Sequence, residues 1–302
     1  MKLQHVEAIV AIASEGSISA ASKRLGKTQP ALTKVLKQAE QDLGLSLFRR
    51  TARGMVPSDL GAPILERMKA INADIDRLDE HVEQLRGGLT GKISVAISPL
   101  AALNIMPRAL LLFRKTHPFV EVHLSSGLYP SALGPLRNGQ IDLVIGPTPP
   151  PNFKIGLNVE PLLSTKIVLL TAKGSKYAQA TRLSELQDAE WIMIGGPGGP
   201  GDHSSQAFEE NGMTPPKIVT TSESYFGAVS LVENLGAVCG FPERMLTEVQ
   251  NSWNVTPIAI QETLAVREVS LISREGHPAT MATEVLINCV RRVAASMEKR
   301  AK

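Results

Sequence analysis

Seven apolar residues stand at alternating separations of 4 and 3: Ile64, Met68, Ile71, Ile75, Leu78, Val82 and Leu85. No other feature constrains the chain as tightly. A strict heptad over about three repeats describes a helix with one narrow apolar seam. A helix laid on its own domain usually carries a wider stripe. Charged residues surround the seam, among them Glu66, Arg67, Lys69, Asp74, Asp76, Arg77, Asp79, Glu80, Glu83 and Arg86. The spacing therefore predicts a dimerising linker helix over 59–87, with Gly87, Gly88 and Gly91 making a hinge at 88–91. It divides the 302 residues into a head, 1–58, and a body, 92–302.

Charge follows the same division. The head holds nine Lys and Arg against four Asp and Glu, a net +5, so the whole-chain +3 leaves the remainder at −2. A basic head on a mildly acidic body fits a nucleic-acid binder, and equally a solvated basic face, until the mounting of the charges is known. Leu3, Val6, Ile9, Val10 and Ala13 recur at helical spacing, and Gly16 stops that helix. Ser17 or Ser19 can cap a second, short helix that ends at Gly26. Thr28 caps a third, with Pro30 in its first turn, where a missing N–H costs nothing. Its apolar side is Ala31, Leu32, Val35, Leu36, Ala39 and Leu43, and Gln29, Thr33, Lys34, Lys37 and Gln38 form the other. A short helix, a glycine turn and a longer helix with a basic face make a helix-turn-helix pattern, whose second helix fits the major groove. Arg49, Arg50 and Arg53 then crowd a turn-prone stretch and suit phosphate or minor-groove contact.

Residues 1–61 resemble the winged helix-turn-helix of LysR-type transcriptional regulators. The resemblance rests on AASKRLGKTQPALTKVLKQAEQDLGLSLFRR, followed by Arg53, Val56, Pro57, Ser58 and Gly61. It implies that Gln29, Pro30, Thr33, Lys34 and Lys37 face double-stranded DNA and that Arg49, Arg50 and Arg53 belong to the wing. Ser17, Ser19 and Thr28, at the helix starts, complete the expected DNA-facing set. Pro63 departs from the family pattern. If Ser58 is the N-cap, Pro63 lies past the first turn and removes a helical bond, so a kink is expected there.

In the body, short β-rich runs alternate with helical stretches: KISVAIS, 103–115, VEVHLS, 130–138 and IDLVIG, then proline-rich PTPPPNF. A second set follows, IVLLTA, WIMI, KIVTTSE and AVCGF with helices near 202–211, 225–235 and 243–250, before REVSLIS and a last helix over 278–299. This order predicts a mostly parallel α/β sheet. Crossovers near 161–166 and 262–268 make two lobes, 92–161 with 268–302 and 162–267. The expected fold is an all-α head, a long linker helix and a two-lobed α/β body. The family resemblance agrees, implying a periplasmic-binding-protein-like effector domain and a homotetramer built as a dimer of dimers.

Ligands of such sheets bind beyond the carboxyl ends of strands. Strand ends nominate Ser98, Pro99, Tyr129, Thr148 and Phe241 as effector contacts, and helix starts nominate His203, Ser204 and Tyr225. Ser98 reads equally as an N-cap and as part of an anion site at a helix start; the resemblance favours ligand contact. The expected effector is a small carboxylate or sulfonate.

Other chemistries find less support. GPGGPG at 196–201 matches GxGxxG, but Pro197 and Pro200 remove two N–H donors, so a cleft-edge loop is the expected reading over dinucleotide binding. The six histidines show no metal spacing, and Cys239 and Cys289 form no CxxC pair. No run approaches the roughly 18 apolar residues of a membrane span, and Glu7 interrupts the first apolar stretch. The expectation is a cytoplasmic regulator that is not an enzyme and has no cofactor or metal.

Overall fold

The computed structural model describes residues 1–52, 54–88, 90–195, 199, 201 and 203–301. It divides into two compact units, residues 1–88 with 135–141, and residues 89–134 with 142–302.

The first unit starts with α1 (Leu3–Glu15), α2 (Ile18–Arg24) and α3 (Gln29–Leu43). The local chemistry that the sequence advertises is in place. Gly16 ends α1 in the left-handed region, and the Ser17 hydroxyl accepts the Ala20 N–H at 3.1 Å to start α2. The Thr28 hydroxyl accepts the Ala31 N–H at 3.4 Å, and Pro30 occupies the first turn of α3. Ile9, Ile12, Ala21, Leu32, Leu36 and Ala39 bury one face of each helix in a common core. A hairpin follows, β1 (Phe48–Thr51) and β2 (Gly54–Pro57), in antiparallel register with Arg49 opposite Val56 and Arg50 opposite Met55.

Two glycines let backbones touch here. A Cβ on Gly54 would lie 2.4 Å from the Gly16 carbonyl oxygen, and Gly54 has φ +114°. A Cβ on Gly61 would lie 2.1 Å from the Leu47 carbonyl oxygen. The first contact seats the hairpin on the α1–α2 turn, where the Met55 N–H donates to Gly16 O at 2.7 Å. The second seats α4 (Gly61–Leu85) against the residue before the hairpin.

Ser58 caps α4 as its position suggests. Its hydroxyl accepts the Gly61 N–H at 2.9 Å and its carbonyl accepts the Ala62 N–H at 2.8 Å. Pro63 has no N–H for the Asp59 carbonyl, so the regular helix begins only at Gly61. The seam needs a correction. Met68 is 1% exposed and lies in the head core beside Leu65, and Ile64 packs on that core too. Those two positions are committed inside the chain, because the first turns of α4 cover α1. Ile71, Leu78, Val82 and Leu85 are exposed, and Ile75 is half-buried.

The body runs β3 (Gly91–Ile97), a π-helical turn (Ala101–Ile105), α5 (Met106–Phe113), β4 (Val120–Ser126), α6 (Leu133–Arg137), β5 (Leu143–Pro147) and β6 (Leu157–Ala172). It continues with β7 (Trp191–Ile194), α7 (His203–Glu210), β8 (Ile218–Ser222), α8 (Tyr225–Leu235), β9 (Cys239–Pro242), α9 (Leu246–Ser252) and β10 (Val255–Ile258). Strand β11 (Val266–Arg274) and α10 (Met281–Ala301) close it. The main sheet has the order β10-β6-β11-β5-β3-β4, β9 also pairs with β6, and β7 pairs with β8.

The expectation of a mostly parallel sheet is corrected. β3 is parallel to β4 and β5, and β7 to β8, but β11 is antiparallel to β5 and β6. β9 and β10 are antiparallel to β6. The crossovers are themselves strands. β6 carries the chain out of one lobe and β11 returns it, so the two must run in opposite directions. Ile93, Val95, Phe113, Leu286 and Val290 lie in the larger core. Leu183, Trp191, Phe208 and Val238 lie in a second, where Trp191 Nε1 donates to Leu186 O at 3.2 Å. Among the described residues, no helix is long and apolar enough to cross a membrane.

Candidate nucleic-acid interface and ligand cleft

The outer face of α3 is an open depression lined by Gln29, Pro30, Thr33, Lys34, Lys37, Gln38 and Gln41. Periodicity puts it there: Leu32, Leu36 and Ala39 are buried, and residues a third to half a turn away point outward. Gln41 extends this face one turn beyond the residues chosen from sequence. The Thr33 hydroxyl donates to Gln29 O at 2.9 Å, and Gln38 Nε2 donates to Asp42 Oδ1 at 3.0 Å. Ser17 and Thr28 serve as caps, and the exposed Ser19 offers its carbonyl to the Ser22 hydroxyl at 2.8 Å.

Two of the head's cations are held in ion pairs, and six described ones, Lys2 and Lys23 among them, are exposed with no carboxylate partner among the described residues. Arg24 pairs with Glu15 and Lys27 with Glu7, each at 3.2 Å. Lys34 and Lys37 on α3, and Arg49 and Arg50 on β1, are exposed and have no carboxylate partner among the described residues. Unpaired cations on a groove-sized helix and on an adjoining hairpin can bind a polyanion without first breaking an ion pair. Arg53 lies outside the described residues.

In the body, the carboxyl ends of β3, β4 and β5 meet. The Ser98 N–H donates to Ile145 O at 2.8 Å, and the Ser98 hydroxyl accepts the Ala101 N–H at 3.3 Å. Ser98 is thus a cap, 3% exposed, at the head of a π-turn, a widened helical geometry frequent at functional sites. Pro99, next to it, is half-buried. The Thr148 hydroxyl hydrogen-bonds that of Ser270, and the Thr148 N–H donates to Glu268 O at 2.9 Å. Tyr129 sits 6.1 Å, ring to ring, from Phe153.

The other lobe supplies Tyr225, at the start of α8. Its ring meets Phe241 edge-on at 5.8 Å. Burial, then the proximity of Cys239 and Tyr129, hold its phenol above the ordinary tyrosine range. Phe241 is 0% exposed, which corrects its assignment as a ligand contact: it is the packing support behind Tyr225. Burial likewise pushes the Cys239 thiol up to about 12. The side chains of His203 and Ser204, and Gly196 and Gly198 of the glycine-rich loop, lie outside the described residues. Sequence reading missed Phe153, placed by its ring contact with Tyr129, and Ser270, placed by strand pairing; neither carries a local motif.

Residues 3–62 match the family model described as bacterial regulatory helix-turn-helix protein, lysR family, and residues 86–295 match the LysR substrate binding domain. The HTH-type transcriptional regulator TdcA of Escherichia coli K12 is 24% identical over 290 residues, 96% of this chain and 92% of that protein. Full-length CbnR complexed with its target DNA superposes with a TM-score of 0.68 at 22% identity, over 97% of this chain and 100% of that one. A full-length OxyR variant from Pseudomonas aeruginosa gives 0.70 at 18% identity, over 96% of this chain and 95% of that one.

Proposed function

This chain belongs to the LysR family of bacterial transcriptional regulators, and we propose that a small organic acid held between the lobes of its body controls how it reads double-stranded DNA. It acts in the cytoplasm as a homodimer that assembles further into a homotetramer, without cofactor or metal. One observation carries the DNA-reading half: Lys34 and Lys37 on α3 and Arg49 and Arg50 on the adjoining hairpin are exposed and without a carboxylate partner among the described residues. Gln29, Pro30, Thr33, Lys34 and Lys37 face the major groove, and Arg49, Arg50 and Arg53 contact the backbone or the adjoining minor groove.

Leu78 and Leu85 are 63% and 67% exposed on α4, which supports pairing of that helix with a second copy. A two-fold dimer then reads two half-sites of a pseudo-palindrome. The acid binds one arrangement of the lobes more tightly and shifts the population toward it, changing the spacing of the two heads. Ser98, Pro99, Tyr129, Thr148 and Tyr225, with His203 and Ser204, form the effector site.

Titrating the full chain against DNA from upstream of its own gene, at several salt concentrations, tests this reading. Tight binding that weakens steeply with salt is the expected result. Binding that is absent, or indifferent to salt, overturns it.

A further inference from the structure

The seven residues 135–141 belong by their packing to the first unit, although the chain on either side of them belongs to the second. Side chains of α4 hold them. Arg77 Nη2 donates to Gly139 O at 2.7 Å and reaches Ile141 O at 3.5 Å. Nη1 of the same guanidinium lies 3.6 Å from Asp74, one turn back on the helix. Further back on α4, Glu66 accepts from Asn138 Nδ2. The Arg77 side chain is only 20% exposed. A guanidinium so placed gives up water for backbone carbonyls, which a solvated helix face does not require of it.

The turn is built to offer those carbonyls. Gly139, at φ +70°, takes the left-handed conformation that ends a helix. Its N–H donates to Leu136 O at 3.1 Å, and the Gln140 N–H donates to Pro135 O at 2.9 Å. The Gly139 carbonyl therefore lies past the ladder of α6, and Arg77 takes it. The far end of the turn is fastened to β3. The Asp142 N–H donates to Ser94 O at 2.8 Å, and Asp142 Oδ2 accepts the Ser94 N–H at 2.7 Å. Strand β5 begins at the next residue and runs parallel to β3, with Val95 opposite Leu143. The two strands lead to Thr148 and Ser98. A close-packed pair of strands passes a displacement on instead of absorbing it. Leu78, the residue after Arg77, stands about 100° round the helix and is 63% exposed, so the contact leaves the seam open.

We infer that Arg77 and the 135–141 turn form a clip through which a shift of β3 and β5 reaches α4 and the DNA-reading head. DNA binding reaches those strands by the same route. The two directions carry the same coupling free energy, so DNA alone tests the clip, whatever the effector is. Arg77 is a positioning residue in this role, acting through the turn.

The test is hydrogen–deuterium exchange of the full chain, free and saturated with a duplex from upstream of its own gene. Wild type, R77Q, R77K and N138A are compared. In wild type, DNA is expected to change exchange at amides 139–142 and 94 by about fivefold or more. R77Q should still bind the duplex but lose that change, with faster exchange at 139–142 in the free protein. R77K keeps a donor for one carbonyl and should recover part of the change. N138A cuts the other contact and should reduce it; if R77Q fails to fold, an undiminished change in N138A overturns the clip. No DNA-dependent change at these amides in wild type, or the same change in R77Q, overturns the clip and leaves the DNA reading standing. A wild type that does not bind the duplex overturns both.

Discussion

Lys34 and Arg50 are exposed cations with no carboxylate against them among the described residues, one on α3 and one on β1. If each neutralises one phosphate, replacing either with Ala should weaken DNA binding and reduce the slope of log affinity against log salt by about one unit. Unchanged slopes in both variants would contradict the assignment. Gly61 makes a different kind of prediction. A methyl group there meets the Leu47 carbonyl at 2.1 Å, and that neighbour is backbone. Gly61→Ala should cost about 1–3 kcal/mol of head stability, read as a lower urea midpoint; an unshifted midpoint means that α4 moves aside freely. Cys239 is fully buried with its thiol pushed up to about 12, and Cys289 is only partly covered. An alkylating reagent at pH 8 should therefore label Cys239 only after unfolding, with mass spectrometry of the native protein as the check. Lys34 and Lys37 are legible in sequence because helix periodicity alone turns them outward. The bond of Arg267 Nη2 to Gln206 Oε1 is not, because its acceptor lies on a helix 61 residues away in the chain.

Among the elements, α4 shows how far a heptad can be read. Its spacing is uniform from Ile64 to Leu85, yet the helix has two fates along its length. The first turns lie on α1 and bury Leu65 and Met68, while the later turns expose Leu78 and Leu85. Leu78→Asp should leave the head and body folded, with an unchanged circular dichroism spectrum, and shift the sedimentation coefficient toward that of a monomer. Dimers that persist at micromolar concentration would place the pairing surface elsewhere. The sequence period reports that one side is apolar. It does not report whether the covering partner is the chain itself or a second copy, since burial rewards both alike. The same limit applies to β6, where apolar runs mark a strand but only pairing shows that it extends through the crossover for 16 residues.

At the scale of the whole molecule, the last helix ties the two lobes of the body together. Glu298 on α10 accepts from the Ser164 N–H of β6 at 2.8 Å and from Arg244 Nη2 at 3.0 Å. Arg244 Nε in turn donates to Ser164 O at 2.7 Å. The three groups join the terminal helix, the crossing strand and the turn before α9. Glu298→Ala leaves a charged donor and a backbone N–H without their acceptor, so a loss of about 1–3 kcal/mol is expected, measured as a fall in the body's melting temperature; full retention would mean that water replaces the carboxylate. By itself the sequence determined the helical head, its basic reading face, the linker helix and the alternation of strands and helices, because caps, glycine turns and periodicities act over a few residues and survive in linear order. Only the tertiary structure decided which cations are held in ion pairs, which part of the seam is already occupied, that the crossovers are antiparallel strands, and that Tyr225 packs on Phe241 and Tyr129 near Phe153. Those facts depend on distances between residues far apart in the chain, set by how the units pack and not by local pattern.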